Sequence, residues 1–154
     1  MKILVVAVGK VRASYLREGC EDYIRRIRKL TPIEVKEVKV GKGNDGESIK
    51  KSEDERIFSV LESVAFKTAV LNGRGETLSS ERFARLLKEL ESSGSNGLSF
   101  VIGGAWGLGQ KVLEKAAFRW SMGPMTMSHE LARLVLFEQI YRAETTLRGI
   151  PYPK

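Results

Sequence analysis

The stretch FVIGGAWGLGQ, residues 100–110, sets Gly103, Gly104, Gly107 and Gly109 directly behind an apolar run. Glycines after a strand let a backbone come close to a ligand, because no Cβ holds it off. Two phosphate-binding readings fail on spacing. A P-loop requires a lysine and then Ser or Thr after its second glycine; Gly104 and Gly109 are spaced correctly, but Gln110 follows. A dinucleotide fingerprint requires G-x-G-x-x-G, usually in the first βα unit, with an acid further on. Here the order is Gly103-Gly104-Ala105-Trp106-Gly107, late in the chain, and only Gly9 follows the first apolar run. On the glycines alone, a tight turn without a ligand is an equal reading.

Further groups could do chemistry. NGRGETLSS brings Gly73 and Gly75 behind Leu71, and WSMGPMTMSH brings Met122, Gly123, Pro124, Met125, Thr126 and Met127. Methionines can line an apolar slot, though they serve as readily as core filler. His129, Arg133, Glu138, Tyr141 and Arg142 then fall on one helical segment. Spacings of three and four put Arg133, with Glu138 and Arg142 further on, roughly along one side. Plainer roles are a helix cap for His129 and ion pairs for the arginines.

The elements that must position these groups alternate between two periods. Residues 3–8 read as a buried strand. Leu16, Cys20, Tyr23, Ile24 and Ile27 recur at helical spacing, and that helix must stop before Pro32. Residues 33–40 read as a second strand whose alternation slips, through a bulge or burial on both faces. A polar helix over 47–63, a strand over 67–71, and a helix capped by Ser79 follow. Leu78 and Phe83 are placed as a hydrophobic staple for that cap. A strand over 98–102, a short helix near 111–117, and a last helix capped by Ser128 complete the series. This alternation predicts an α/β fold with a mainly parallel sheet, in one domain over 1–154. Ligands of open parallel sheets sit at the carboxyl ends of the strands, where the glycine loops fall.

Composition limits the partners. The chain has 154 residues, 42% of them hydrophobic, enough for a real core. The apolar run at the start is too short for a signal peptide, and no stretch approaches a membrane span. One cysteine, Cys20, and one histidine, His129, argue against a disulfide or a metal cluster. A cytoplasmic protein without metal or membrane is the expectation. The net charge of +7 favours a polyanionic partner, nucleic acid first. Arg25, Arg26, Arg28 and Lys29 form a basic stripe on the first helix.

The pieces LVVAVGK, EDYIRR, VIGGAWGL, MTMSHELAR and EQIYRA, in this order and at this length, resemble one family. It comprises the small SPOUT-class methyltransferases that methylate N3 of a pseudouridine in 23S rRNA. The resemblance covers essentially the whole chain. It implies a SPOUT-type fold, a mainly parallel sheet flanked by helices with a C-terminal trefoil knot, and a homodimer acting on 23S rRNA in the assembled ribosome. It implies S-adenosylmethionine as methyl donor. Three loops would hold it: Leu71 with Gly73 and Gly75; Gly103 and Gly104 with Gly107; and Met122, Gly123, Pro124, Met125, Thr126 and Met127. The reaction side would draw on His129, Arg133, Glu138, Arg142 and Tyr152, with Arg133 and Arg142 as RNA or substrate anchors. Ser128-His129 stands where the family has Pro-His. The tail reads Tyr152-Pro153-Lys154 where members end in Tyr-His-Lys or Tyr-His-Arg. Proline can neither orient nor deprotonate a base, so the general base is left open. Two rivals remain. One is a SPOUT-like RNA-binding protein with little or no transferase activity. The other is a nucleotide-binding oxidoreductase, which would need the missing first-strand motif.

Overall fold

The computed structural model describes residues 1–152, so Pro153 and Lys154, and with them the departure of the tail from its family pattern, lie outside the described residues. Strand β1 (Lys2–Val8) is buried from Ile3 to Val8, as an uninterrupted apolar run requires when both faces are covered. Ile3, Val5 and Ala7 enter one core with helices α1 (Ser14–Ile27), α3 (Ser80–Ser92) and α5 (His129–Leu147). Leu4, Val6 and Val8 enter a second core with α2 (Gly46–Glu62) and α4 (Gln110–Lys115). The sheet is therefore the middle of three layers.

Its order is β2-β1-β4-β3-β5, every neighbouring pair parallel. Strand β2 (Ile33–Val38) runs against β1 in unbroken register from Ile33 to Val38. Ile33 and Val35 belong to the first core and Val38 to the second, so burial on both faces explains the slipped alternation. The strand ends there, and Val40 is exposed. Strand β4 (Gly97–Ile102) is buried along its whole length between β1 and β3.

Two elements differ from the sequence expectation. Strand β3 (Lys67–Thr77) does not end at Leu71. Leu71 and Glu76 both lie opposite Trp120 of β5, so residues 72–75 arch out of the ladder before pairing resumes. The arch is pinned by Asn72, whose Oδ1 accepts the Arg74 N–H at 2.8 Å. Strand β5 (Phe118–Ser121) was hidden because four residues of mixed exposure carry no readable period.

Caps set the helix starts. Ser79 and Ser128 accept the N–H groups of Arg82 and Leu131 at 3.1 and 3.2 Å, as their types predict. Asp45 caps α2 from just before its expected start, accepting from Ser48 N–H at 2.7 Å.

Candidate functional site

At the carboxyl ends of the adjacent strands β4, β3 and β5, three loops enclose a cavity of about 510 Å³. The β3 arch contributes Leu71 and Gly73, the β4–α4 turn Gly103, Gly104 and Gly107, and the β5–α5 segment Met122, Gly123, Pro124, Met125, Thr126 and Met127. His129, the first residue of α5, stands at its edge. Trp120 forms part of the wall, its ring stacked on Phe83 at 4.6 Å between centroids and so fixed from behind.

The β4–α4 turn is closed on itself. Gly104 and Gly107 form an isolated bridge, with the Gly107 N–H donating to the Gly104 carbonyl at 3.1 Å. Gly107 has φ +81°, a conformation that favours glycine. A Cβ on Gly103 would come within 2.9 Å of the Gly107 backbone. At Gly73, by contrast, an added Cβ would meet no described atom within 4 Å. That glycine lines the cavity and has open space beside it. Gly75 is different: a Cβ there would strike the Arg119 carbonyl at 2.5 Å. It is glycine because β3 rejoins β5 at that point, and it does not line the cavity.

Two consecutive acids of α2 hold the turn from outside, and no motif in the sequence announced them. Asp54 accepts the N–H groups of Lys111 and Val112 at 3.1 Å each, capping α4. Its carboxylate occupies the space a side chain at Gly109 would need. Glu53 accepts the Gly41 N–H at 3.0 Å through Oε1, and its Oε2 lies 2.7 Å from where a Gly104 Cβ would sit. The only signal available was negative: two acids in a helix register that should be buried.

The helix α5 residues separate into three places. Arg133 is 2% exposed and does not reach the cavity. Its guanidinium donates to Glu37 Oε1 at 2.7 Å, to the Val8 carbonyl at 3.2 Å and to the Gly9 carbonyl at 2.9 Å. It ties α5 to the ends of β1 and β2, a placement that corrects the expectation of a substrate anchor. Cys20, beside it, is buried and its thiol is pushed up to about 11 by desolvation, so it is inert at neutral pH. Glu130, in the first turn of α5, accepts from the Arg12 N–H at 2.5 Å, and that bond holds its carboxyl below the usual range.

Glu138, Arg142 and Tyr152 form the third group. Arg142 donates to Glu138 through Nε at 3.0 Å and Nη2 at 2.8 Å, and lies 4.7 Å from the Tyr152 ring centroid. Tyr152 packs edge-on to Tyr141, and its hydroxyl shares a 3.0 Å hydrogen bond with that of Tyr23. Burial first, and the Tyr23 hydroxyl next, push the Tyr152 phenol well above its ordinary value, so it stays protonated at neutral pH. Along α5, Arg142 lies thirteen residues from His129, about 20 Å at the helical rise. One copy of the chain thus keeps this group away from its own cavity.

The basic stripe is partly committed. Arg25 and Arg26 both pair with Asp22, and Arg26 also faces the rings of Tyr23 and Tyr141.

No helix among the described residues is long and apolar enough to cross a membrane.

A wound parallel sheet whose glycine-rich loops gather beyond three neighbouring strand ends defines an α/β protein with a candidate small-molecule site at that edge. The family model described as "Predicted SPOUT methyltransferase" matches residues 1–153, and the chain belongs to the SPOUT methyltransferase family. A ribosomal RNA large subunit methyltransferase H of Carboxydothermus hydrogenoformans is 42% identical over 160 residues, covering 100% of both chains. The protein of the same description from Rubrobacter xylanophilus is 44% identical over 152 residues, covering 96% of this chain and 95% of its own. A probable methyltransferase from Bordetella pertussis Tohama I shares the fold, with a TM-score of 0.57 at 14% identity over 92% of this chain and 95% of that one. The SPOUT-type fold expected from the sequence is thereby established.

Proposed function

We propose that this chain is an S-adenosylmethionine-dependent methyltransferase that acts, as a cytoplasmic homodimer of single-domain subunits, on N3 of a pseudouridine in the 23S rRNA of the ribosome. The observation that carries the reading is the cavity of about 510 Å³ between three backbone-rich loops at the ends of β3, β4 and β5. Its fit to the donor rests on Gly73, Gly107 and Gly123, cavity-lining glycines at which an added Cβ would meet no described atom within 4 Å. The names of the full-length relatives, ribosomal RNA large subunit methyltransferase H, support the substrate class. When bound, S-adenosylmethionine supplies a sulfonium-activated methyl group. The protein's task is then mainly alignment of the acceptor nitrogen.

In this reading Leu71, Gly73, Gly103, Gly104, Gly107 and residues 122–127 hold the donor, and the trefoil knot implied by the family lies in those loops. His129 faces the acceptor side. Glu138, Arg142 and Tyr152 complete the site from the partner copy, since Arg142, which contacts the other two, lies about 20 Å along α5 from His129. Tyr152, as a protonated phenol, donates a hydrogen bond to the base and does not take its N3 proton.

Transfer of labelled methyl groups tests the reading, with 70S ribosomes and separated subunits as substrates and the modified nucleoside identified by mass spectrometry. Methylation of pseudouridine N3 is the expected result. Donor binding with no transfer to any particle would leave an RNA-binding role instead.

A further inference from the structure

Beside the donor cavity lies a second one, of about 300 Å³, sharing Gly104, Ala105 and His129 with it. Glu53 lines it. This carboxylate is 2% exposed, and one oxygen, Oε2, has no hydrogen-bond partner among the described residues. Buried acceptors are nearly always satisfied, so an orphan beside a ligand site calls for a ligand donor. The cavity mouth carries Trp106, 58% exposed. Its indole packs beside Gly46, where an added Cβ would come within 2.3 Å of the ring, and more than half of the residue stays exposed. Lys10 and Arg12 stand on the rim, both exposed. A stacking face, a buried acceptor and cations at the rim are the requirements of a flipped-out nucleotide.

We propose that this cavity receives the acceptor base, and that Glu53 distinguishes pseudouridine from uridine by accepting its N1–H. The inference rests on the function proposed above and adds the residue that sets its specificity. Pseudouridine is joined to its ribose through carbon, so N1 keeps a hydrogen. In uridine N1 is the glycosidic atom and offers none. A carboxylate has two acceptor oxygens and no donor. Oε1 is engaged by the Gly41 N–H at 3.0 Å; Oε2 lies against Gly104 without a partner among the described residues, and a small shift of the side chain would bring it to the base. A uridine would bring no donor and leave the buried oxygen orphaned. Sites built to hydrogen-bond a substrate N–H reject the analogue that lacks it strongly. A glutamine cannot replace Glu53 here. With its oxygen toward Gly41 it presents N–H to N–H at the base, and with its oxygen toward the base it opposes the Gly41 amide.

The test compares ribosomes carrying pseudouridine with ribosomes carrying uridine at the target. The wild-type protein should favour pseudouridine by about 100-fold or more in kcat/KM. In Glu53→Gln the preference should collapse to within about 5-fold, the loss falling on the pseudouridine substrate. Circular dichroism shows that the variant is folded, and calorimetric affinity for S-adenosylmethionine separates any disturbance of the donor turn, which lowers both substrates alike, from loss of the preference. Equal losses on both substrates would mean that Glu53 only secures the Gly41 loop, and would overturn the proposal. A wild-type protein indifferent to the base would do the same. Trp106→Ala, at an exposed position, should raise KM about 10-fold on both substrates with little change in donor affinity. An unchanged KM would take the ring out of the pocket and count against a base there. Wild-type protein that transfers to neither ribosome would refute the rRNA reading itself, an outcome distinct from loss of the preference alone.

Discussion

Replacing Arg133 by Ala separates two roles that the sequence could not. The guanidinium makes three hydrogen bonds, one to a carboxylate and two to main-chain carbonyls, from a side chain that is 2% exposed. Breaking a buried ion pair by removing one partner costs about 3–5 kcal/mol. The Glu37 side chain is 35% exposed, so water can solvate its abandoned charge, which argues for the low end. The two carbonyls sit at the ends of β1 and lose their donors, at a fraction of about 1–3 kcal/mol each where water cannot replace them. A net loss of about 3–4 kcal/mol is expected. For a chain of 154 residues this corresponds to a fall of about 6–16 °C in melting temperature. Thermal unfolding by circular dichroism gives the shift, and calorimetry with S-adenosylmethionine at a temperature where the variant is folded gives donor affinity. Arg133→Lys should recover part of the stability at most, because an ammonium cannot span all three acceptors. A variant as stable as the parent, with ribosome affinity sharply reduced, would refute the structural role and restore Arg133 as a substrate anchor.

Gly73→Val should lower donor affinity more than about 10-fold by filling cavity space, while moving the melting temperature little, since the new side chain meets no described atom within 4 Å. Gly104→Val is a poorer probe, because its Cβ would strike Glu53 and disturb α2 as well. If the sites are composite as proposed, mixing Gly73→Val protein with Arg142→Ala protein should give activity well above either variant alone at limiting donor, because one of the two sites in a mixed dimer is intact. No recovery after subunit exchange would place Arg142 outside the partner's site. The Glu130 carboxyl is held below its usual range by the Arg12 backbone N–H. The stability it adds is therefore complete above the unfolded value of about 4.3 and is lost as pH falls through its lower folded value. Glu130→Gln should flatten the pH dependence of the urea midpoint between about pH 5 and 3.

What the sequence disclosed follows from burial. Strands β1 and β4 were plain because both faces of each are covered, and unbroken apolar runs result. The three loops that line the cavity were legible as strand-end segments rich in glycine or methionine, although the glycines alone fitted a tight turn equally well. The β3 arch was not, since its four residues look like an ordinary turn and only their return to pair with β5 shows otherwise. Gly75 looked like Gly73, yet one faces a neighbouring strand and the other faces open space, a distinction made by tertiary packing alone. Arg133 read as a surface cation because arginine is rarely enclosed, and its three acceptors come from segments more than ninety residues away in the chain. Glu53 and Asp54 sat unnoticed in a polar helix for the same reason: their partners, the Gly41 amide and the first turn of α4, lie far along the chain or in a loop that the helix pattern cannot foretell.

The strand order also fixes the order in which the protein can be completed during synthesis. Strand β1 is made first and occupies an interior position, but its second neighbour, β4, spans Gly97–Ile102 and the helix over its first-core face spans His129–Leu147. Until those segments leave the ribosome, the nascent chain carries an apolar strand with a bare edge, the kind of surface that pairs with other chains. The β1–β2 pair alone cannot cover it. The chain would thus spend its most exposed interval attached to the ribosome that makes it.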